Sequence, residues 1–304
     1  MKVHIPSENF WNDKRVLITG HTGFKGGWLT LWLKSLGADL LGISLPPEKK
    51  PNFFDLVSLQ NGMDSEFEDL RFNRKILNLT KSFEPEIVFH LAAQPLVRKS
   101  YDEPLETFST NVMGTLNLFE AIRETKNVKA VVNVTTDKVY RNNEWIWGYR
   151  EMDPIGGKDP YSSSKACVEL ITDCYRASFF KENSCRIATA RSGNVLGGGD
   201  WSADRLIPDI LAIKNSNKKF KIRNPNSIRP WQHVLEPIYG YLLLAENLYN
   251  DGKKFEEGWN FGPAPENQKT VMEVFQLTCK FLGVPVNWEL LTTVLKPEAQ
   301  FLAL

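Results

Sequence analysis

The chain has 304 residues, of which 42% are hydrophobic, so it is long enough to enclose a large core. Its 37 basic and 36 acidic residues leave a formal charge of +1, and no basic stripe follows a predicted helix. This balance argues against a nucleic-acid partner. No apolar run is long enough to span a bilayer, so we expect no membrane partner.

The spacing of the cysteines and histidines indicates a cellular location and argues against a metal site. The four cysteines show no Cys-x-x-Cys spacing, and the first residues form no apolar signal core, so we expect a reducing, cytoplasmic location. The four histidines, at positions 4, 21, 90 and 233, lack metal-ligand spacing, so no metal site is predicted.

The first predicted element is an apolar strand that leads through a glycine-rich turn into a helix. Val16-Leu17-Ile18-Thr19 precedes a Gly-x-x-Gly-x-x-Gly variant of the dinucleotide fingerprint. Glycines allow a tight turn and a close approach to a pyrophosphate, whose charge the N-terminus of the helix stabilises. The helix is apolar at helical spacing and stops at Gly37. The residues expected to bind the dinucleotide here are Gly20, Thr22, Gly23, Phe24 and Gly26.

The next segments extend the predicted cofactor site. The second strand, 40–45, ends in Ser44-Leu45-Pro46 rather than in the acidic residue that would bind an adenosine ribose, so the choice between NAD and NADP stays open on this strand. Residues 46–61 are predicted to form a loop, followed by a short helix. Asp69 and Leu70 are expected to end a third strand and to contact the cofactor.

A buried strand at 86–94 opens into small residues. A dinucleotide backbone is expected to lie against Leu91, Ala92 and Ala93, although a close-packed turn is an equal alternative on this segment alone. A helix is predicted to begin at Asn111, a further cofactor contact, because apolar residues recur there at helical spacing. The strand that follows, 130–134, delivers residues 135–138 at its carboxyl end, where open parallel sheets bind ligands.

Two short segments carry the predicted chemistry. Thr135-Thr136-Asp137-Lys138-Val139-Tyr140 closes a strand, and Tyr161-Ser162-Ser163-Ser164-Lys165 opens a helix predicted to reach about residue 180. Tyr161 and Lys165 share a helix face, so the ammonium can stabilise the phenolate. Lowering the pKa of a tyrosine by about 3 units requires about 4 kcal/mol, which a close cation and a nicotinamide charge could supply. Alone, such spacing is more often an incidental surface pair.

The pattern changes after a strand predicted at 186–190, because the glycine-rich loop 191–201 is less regular. We place a domain boundary there. Residues 9–190, with roughly 231–258 returning to them, are predicted to form a Rossmann-type, doubly wound α/β domain. Residues 191–230 and 259–304 are predicted to form a smaller α/β substrate domain.

Four motifs, at 19–29, 90–98, 135–140 and 229–234, resemble the extended short-chain dehydrogenase/reductase family. Within it they are similar to the nucleotide-sugar 4,6-dehydratases, in particular the branch that acts on CDP-glucose. The resemblance runs from about Trp11 to the end of the chain. It implies oxidation of the glucose at C4 by NAD, loss of water across C5 and C6, and return of the hydride to C6. It also implies a homodimer that pairs the helices beginning near Asn111 and Tyr161.

The resemblance assigns roles to individual residues. Tyr161 would remove the C4 hydroxyl proton, Lys165 would hold the phenolate and the nicotinamide ribose, and Thr136 would hydrogen-bond the C4 oxygen. Asp137 and Lys138 would serve the elimination. Members that act on dTDP-glucose carry a glutamate in place of Lys138, and a lysine can act as a base only when neutral. The alternative is that Asp137 and Lys138 form a solvent-exposed ion pair.

The substrate diphosphate needs cationic and amide partners, which the resemblance places at Asn194, Arg205 and Arg229. Each could instead be a surface side chain. His233 and Trp231 either line the pocket or pack in the core. Family members usually continue beyond a position equivalent to residue 304, so we expect a shortened substrate domain. A C4 epimerase of the same family and a noncatalytic nucleotide sensor remain alternative functions.

Overall fold

The computed structural model describes residues 5–180, 185–214, 219–291 and 299–304. The elements up to residue 192 are α1 (Glu8–Trp11), β1 (Arg15–Thr19), α2 (Phe24–Ser35), β2 (Asp39–Ser44), α3 (Phe53–Leu56), β3 (Asp64–Phe67), α4 (Asn73–Phe83), β4 (Ile87–His90), α5 (Val97–Asp102), α6 (Pro104–Phe108), α7 (Gly114–Arg123), β5 (Ala130–Val134), α8 (Pro160–Tyr175) and β6 (Arg186–Ser192). Those that follow are β7 (Val195–Leu196), α9 (Leu206–Ile213), β8 (Phe220–Ile222), β9 (Ile228–Arg229), β10 (Gln232–His233), α10 (Leu235–Asp251), β11 (Gly258–Phe261), β12 (Lys269–Thr270), α11 (Val271–Leu282) and β13 (Trp288–Leu290).

Seven strands form one parallel sheet in the order β11-β6-β5-β4-β1-β2-β3. From β1 the chain winds outwards to β3, and it then crosses back to β4 and winds outwards on the other side. The direction of winding therefore reverses between β1 and β4, which is where open parallel sheets bind ligands at their carboxyl edge. The predicted doubly wound fold is confirmed.

Both faces of the sheet are buried under helices. Alternate residues of β1 point to opposite faces: Val16 and Ile18 pack with α2 and α10, whereas Leu17 packs with α4 and α7. The sequences of strands that are covered on both faces are mostly apolar at successive positions, as in β1, β4 and β5. None of the helices in the described ranges combines the length and apolar character that crossing a membrane requires.

A smaller unit packs beside the carboxyl edge of the sheet. Strands β8 and β13 pair in parallel, and α9 and α11 cover them. The core of this unit includes the stacked rings of Phe220 and Phe275, whose centroids are 5.2 Å apart, and Ile210 and Ile222. Between the two sections of this unit the chain returns to the main sheet as α10 and β11, and this return reaches Phe261, three residues beyond the predicted 258.

Several predicted boundaries were wrong. The segment 46–61 is not all loop, because Phe53 and Phe54 are buried in α3. β3 ends at Phe67, so Asp69 and Leu70 lie in the following turn. Asn111 does not begin a helix, since it lies in a π-helical turn that continues α6 into α7. β6 continues past residue 190 to Ser192. By contrast, α8 and the π-turn after it reach residue 180, as predicted.

A buried histidine, His90, ends β4. Its Nδ1 lies 2.7 Å from the Thr19 hydroxyl and its Nε2 lies 2.9 Å from the Thr115 hydroxyl. The Thr19 oxygen also accepts hydrogen bonds from the backbone N–H groups of Leu91 and Ala92. Thr19 therefore donates its proton to Nδ1, and the neutral imidazole carries its proton on Nε2. Burial, and secondarily the charge of Lys165, lowers the pKa of His90 to about 3.

This histidine is expected to make the fold sensitive to acid. The unfolded chain binds more protons than the folded one between the ordinary pKa of 6.5 and about 3, so the free energy of unfolding decreases as the pH falls through that window. Each unit by which the pH falls in this window lowers the free energy of unfolding by up to about 1.4 kcal/mol. His90→Gln should flatten this dependence in urea unfolding between about pH 7 and pH 5. His233→Gln, at an exposed position, is the control. An unchanged slope in His90→Gln would remove His90 as the cause.

Candidate active site

The carboxyl ends of β1, β4, β5 and β6 bring four predicted segments together. The glycine turn follows β1, residues 91–93 follow β4, residues 135–138 follow β5, and residues 193–194 follow β6. The register fixes these segments side by side, because Thr135 donates its backbone N–H to Ala190 at 2.9 Å and Leu91 donates to Thr19 at 3.1 Å. The sheet therefore assembles one site from parts of the chain that are far apart in sequence.

The glycine turn lies directly against the end of β4. Gly20 adopts a positive φ of 79°, and a Cβ on it would lie 2.7 Å from the backbone nitrogen of Ala92. A Cβ on Gly26 would lie 2.0 Å from the Gly20 oxygen. Gly23 caps α2 without a side-chain hydrogen bond, so the first turn of the helix offers backbone N–H groups to an anion. Thr22 bonds Ser44 and the Leu45 carbonyl, while Phe24 packs against the core.

The turn after β3 holds an ion pair rather than a free carboxylate. Arg71 contacts Asp69 at 2.5 Å and Glu106 at 2.5 Å. The Arg71 guanidinium holds the pKa of Asp69 below its ordinary value. Leu70 is buried against Gly114 at the start of α7. Asp69 and Leu70 thus lie beyond the ends of β2 and β3, on the side of the site remote from α8.

Tyr161 and Lys165 lie on the first turns of α8, which Asp159 caps by accepting a hydrogen bond from Ser162 at 2.9 Å. Both side chains are buried. The Lys165 Nζ donates to the Val134 carbonyl at 3.1 Å. Burial lowers the pKa of Lys165 to about 8, although the nearby Glu169 opposes this effect. Lys165 is therefore still mainly a cation at neutral pH.

The side chain of Thr136 lies beside the hydroxyl of Tyr161. Burial raises the pKa of Tyr161 to about 12, against the opposing effects of Thr136 and of the charge of Arg205. Without ligands the phenol is therefore protonated at neutral pH. A role as proton acceptor requires the positive charge that a bound oxidised nicotinamide brings.

Asp137 is fully buried in a 3-10 turn that follows β5. Its Oδ1 accepts hydrogen bonds from the Thr136 hydroxyl at 2.9 Å and from the Lys138 ammonium at 3.4 Å. Its Oδ2 has no hydrogen-bond partner in the described part of the chain and faces Gly193, where a Cβ would lie 3.0 Å away. The alternative of a solvent-exposed pair is thus wrong for Asp137, whereas Lys138 is partly exposed.

A buried ion pair that the sequence analysis missed lies behind these groups. Arg191 contacts Glu169 at 2.8 Å, and both side chains are almost fully buried. Glu169 also accepts hydrogen bonds from the hydroxyls of Thr135 and Thr189. The pair therefore joins β5 and β6 to the helix that carries Tyr161 and Lys165. Glu169 follows Lys165 by four residues, so a second charge on the buried helix face was the available signal.

Asn111 links the segment after β4 to α8, the helix that carries Tyr161 and Lys165. Its Oδ1 accepts a hydrogen bond from the Gln94 backbone at 2.8 Å, and its Nδ2 donates to the Ser164 hydroxyl at 2.8 Å. Ser164 in turn donates to the carbonyl of Tyr161 at 2.7 Å. Asn111 is buried, so its side chain fixes the relative positions of the segments around it.

A further lysine, Lys25, extends from the first turn of α2 into the site. Its ammonium donates to the Ser192 hydroxyl at 2.7 Å and lies 3.4 Å from the Tyr241 hydroxyl. Burial, together with the charge of Arg205, lowers the pKa of Lys25 to about 7, while Asp137 opposes the shift. The sequence signal was a charged residue inside a glycine motif.

A cavity of about 340 Å³ lies between β7, α9 and β8. Asn194, Arg205, Arg229 and Trp231 line it, and the first three are the residues assigned to the substrate diphosphate in the sequence analysis. Arg205 is the N-cap residue of α9. Because its charge acts on Tyr161 and Lys25, it lies at the end of the cavity nearest to these two residues.

The cavity contains two arginines that the sequence analysis missed. Arg98 and Arg223 both contact Asp204, at 2.9 Å and 3.0 Å. Because Arg98 belongs to α5 and Arg223 follows β8, Asp204 connects the main sheet unit to the smaller unit at the cavity wall. Nothing in the local pattern of the sequence marked these three residues as neighbours.

Two predicted substrate contacts are placed differently from expectation. The Arg229 guanidinium lines the cavity, but it donates hydrogen bonds to the carbonyls of Ile228, Ala299 and Gln300 and so anchors the end of the chain. His233 does not line the cavity, because it is exposed on β10, and its Nδ1 accepts from the Leu235 backbone at 3.3 Å. In the described ranges no group of three or more His, Cys, Asp or Glu residues is placed to hold a metal ion.

Comparison with known sequences decides the family. Residues 17–292 match the sequence model of the GDP-mannose 4,6 dehydratase family. The chain belongs to this family. A relative in it, the CDP-glucose 4,6-dehydratase of Salmonella typhimurium, is 52% identical over 286 residues, which are 92% of this chain and 80% of the relative. The CDP-paratose 2-epimerase of Salmonella typhi is 27% identical, over 90% of this chain and 86% of the epimerase.

Solved structures of related proteins share the fold. The UDP-glucose 4-epimerase of Thermotoga maritima, solved with UDP-glucose, superposes with a TM-score of 0.82 at 22% identity, over 95% of this chain and 89% of the epimerase. The dTDP-glucose 4,6-dehydratase of Bacillus anthracis, solved in complex with NAD, superposes with a TM-score of 0.78 at 21% identity, over 95% and 87%. Solved proteins on this fold thus include both dehydratases and epimerases.

Proposed function

We propose that the protein is a CDP-glucose 4,6-dehydratase, which converts CDP-D-glucose to CDP-4-dehydro-6-deoxy-D-glucose and water. The observation that carries the proposal is a buried Asp137, with one oxygen facing the site, beside the Thr136, Tyr161 and Lys165 side chains. The identity of 52% to a CDP-glucose 4,6-dehydratase supports the choice of substrate. Oxidation alone does not require an acid at this position.

The site fits NAD as its cofactor. Gly20 and Gly26 leave no room for a side chain, and the uncapped first turn of α2 faces outwards beside them, as a pyrophosphate requires. Residues 91–93 and the turn at Asp69 and Leu70 would border the rest of the dinucleotide. When bound, NAD accepts the hydride from C4 of the glucose and later returns it to C6. A dTDP-glucose 4,6-dehydratase of the same fold was solved with NAD.

Tyr161 performs the first proton transfer. It takes the proton of the C4 hydroxyl as the C4 carbon is oxidised. The Thr136 hydroxyl, which donates to Asp137 in this structure, turns to donate to the C4 oxygen. The ammonium of Lys165, positioned by the Val134 carbonyl, stabilises the phenolate that this role requires. The Arg205 charge acts in the same direction.

The elimination uses the segment after β5. Oxidation at C4 acidifies the C5 hydrogen, so a base removes this proton while the C6–O bond breaks and the departing hydroxyl takes a proton to leave as water. Before this step the Lys138 ammonium passes a proton to Asp137 across the 3.4 Å that separates them. The protonated Asp137, whose Oδ2 has no partner in the described chain, donates that proton to the departing hydroxyl. The neutral amine left on Lys138, which is partly exposed, is the candidate base at C5.

The substrate diphosphate is bound in the cavity at Asn194 and Arg205. Arg205 lies at the N-terminus of α9, where backbone N–H groups add to the attraction for an anion. Arg229 lines the same cavity and also anchors residues 299–300. Since His233 lies outside the cavity, we assign it no contact with the substrate.

The competing function is a nucleotide-sugar 4-epimerase, because an epimerase of this fold superposes closely. A C4 epimerization needs the Tyr161 and Lys165 pair but no acid for water loss, so it leaves the buried Asp137 unexplained. Incubation with CDP-glucose and NAD, followed by mass spectrometry of the product, separates the functions. The expected product is lighter by one water. An unchanged mass with altered stereochemistry would show an epimerase, and the absence of any product would support a noncatalytic sensor.

We also propose the division of the chain and its assembly. The packing of α10 and β11 on the main sheet supports a cofactor domain of residues 9–192 with about 231–261, and a substrate domain of 193–230 and 262–304. The four free thiols support a reducing, cytoplasmic location.

A homodimer through α7 and α8 is supported by the exposed side chains of Leu105, Met113 and Leu170 on or next to these helices. We expect light scattering to give twice the 34.7 kDa chain mass, and Leu170→Glu to lower it. A monomeric parent protein would contradict this assembly.

A further inference from the structure

Three aspartates line the cavity, and they differ in their hydrogen-bond and ion-pair partners. Asp204 pairs with Arg98 and Arg223, and Asp200 accepts a hydrogen bond from the Ser202 backbone at 3.0 Å. The carboxylate of Asp209 makes no hydrogen bond or ion pair within the described residues, although it is half-buried. Burial, with the charges of Asp204 and Asp200, raises the pKa of Asp209 to about 6, and Arg223 opposes the shift. The Asp209 carboxylate is therefore available to accept a hydrogen bond from a ligand in the cavity.

The position of Asp209 along the cavity indicates which part of a ligand it meets. The sugar must lie at Tyr161 and Asp137, and Asn194 follows Gly193, which touches Asp137. Arg205 comes next, since its charge reaches Tyr161. Asp209 lies one helical turn further along α9, because its backbone N–H donates to the Arg205 carbonyl at 3.0 Å. A turn spans about 5.4 Å, so a nucleoside attached to a diphosphate at Arg205 can reach Asp209.

The cavity wall also carries apolar surface on which the face of a base can pack. Leu206 of α9 and Val271 of α11 are partly exposed and line it, together with the buried Phe220 and Ile222 of β8. A single carboxylate beside apolar groups orients a base by one or two hydrogen bonds while the apolar surface supplies contact area. Asp209 is the group that can read the edge of such a base.

We propose that Asp209 accepts a hydrogen bond from the exocyclic amino group of cytosine and so sets the base specificity of the site. The proposal rests on the proposed function, which supplies the cytidine nucleotide. Cytosine presents an amino donor at the position where uracil and thymine present a carbonyl oxygen. An oxygen there would face the Asp209 carboxylate with no hydrogen between them, so uridine and thymidine nucleotides are disfavoured.

Calorimetric titration with CDP and with UDP tests the proposal. Asp209→Asn should weaken CDP binding about 10- to 100-fold, because the side chain loses its charge and one acceptor oxygen. The same variant should bind UDP as well as or better than the parent, since the new amide can donate to the uracil oxygen. Asp209→Ser, which only removes the carboxylate, should lower the CDP-to-UDP preference in the same direction. The matched control is Asp200→Asn, which changes the charge of the cavity equally and should alter both affinities by one common factor.

Two results would overturn the proposal. An unchanged CDP-to-UDP preference in both Asp209 variants would show that Asp209 does not read the base. An equal loss for CDP and UDP would assign its hydrogen bond to the ribose, which the two nucleotides share. Failure of the proposed function has a different signature: the parent protein would leave CDP-glucose unchanged in mass, whatever the variants do in the titration with CDP.

Discussion

Tyr161→Phe is expected to suppress the oxidation of CDP-glucose about 10²- to 10⁴-fold, as is usual for the loss of a positioned acid or base. The substitution removes only the hydroxyl that meets Thr136, so the phenyl ring still fills its buried position on α8. The measurement is the absorbance of reduced NAD after rapid mixing with CDP-glucose. Little reduced cofactor should form, and nucleotide binding should be retained.

The matched control is Tyr175→Phe, on the same helix. The Tyr175 hydroxyl donates to Glu120 at 2.6 Å, outside the site, so its loss should leave the oxidation rate close to that of the parent. Oxidation at the parental rate in Tyr161→Phe would remove Tyr161 from the chemistry. The proton acceptor would then have to be another group at the end of β5.

Asp137→Asn is expected to spare oxidation and to slow the loss of water by about 10²- to 10⁴-fold. An amide occupies nearly the same space beside Gly193 and Thr136, but it cannot donate an acidic proton to the departing C6 hydroxyl. Reduced cofactor should therefore accumulate on the enzyme. Solvent deuterium should enter C5 of the product only slowly, which mass spectrometry of the product measures.

Asp173→Asn, at an exposed ion pair on α8, is the control for the loss of one carboxylate. Lys138→Met, measured in parallel, distinguishes the contribution of Lys138 to water loss from that of Asp137. If Asp137→Asn dehydrates at the parental rate while Lys138→Met does not, the elimination depends on Lys138. If neither change slows water loss, Tyr161 or another group must provide the acid.

The parts of the site that could be predicted are those that one short stretch of sequence encodes. The glycine turn can be predicted because backbone atoms approach Gly20 and Gly26 closely. Only glycine allows such an approach, so the residue types alone indicate the turn. Tyr161 and Lys165 share a face because helical geometry fixes the relation between positions four apart. The order of strands and helices likewise follows from apolar periodicity, and the right-handed crossover rule then limits the sheet to few arrangements.

The parts that could not be predicted depend on partners distant in the sequence. Arg98 and Asp204 meet across 106 positions, and no local pattern links them. The misplacement of His233 has a more local cause. In the two-residue strand β10 successive side chains point to opposite sides, so the buried Gln232 takes the inward position and His233 points outwards. A motif assigns neighbouring residues to a site together, whereas the pleat of a strand separates them.

The buried contact between Arg191 and Glu169 also limits how this sequence can evolve. Replacing either residue alone would leave one buried charge without its partner, at a cost of about 3–5 kcal/mol. A typical domain has only about 5–15 kcal/mol of stability, so such single steps bring the protein close to unfolding. Replacing both residues by apolar side chains of similar volume is often neutral. Lineages of this protein should therefore lose the two charges together or keep both, and the intermediate sequences should be rare.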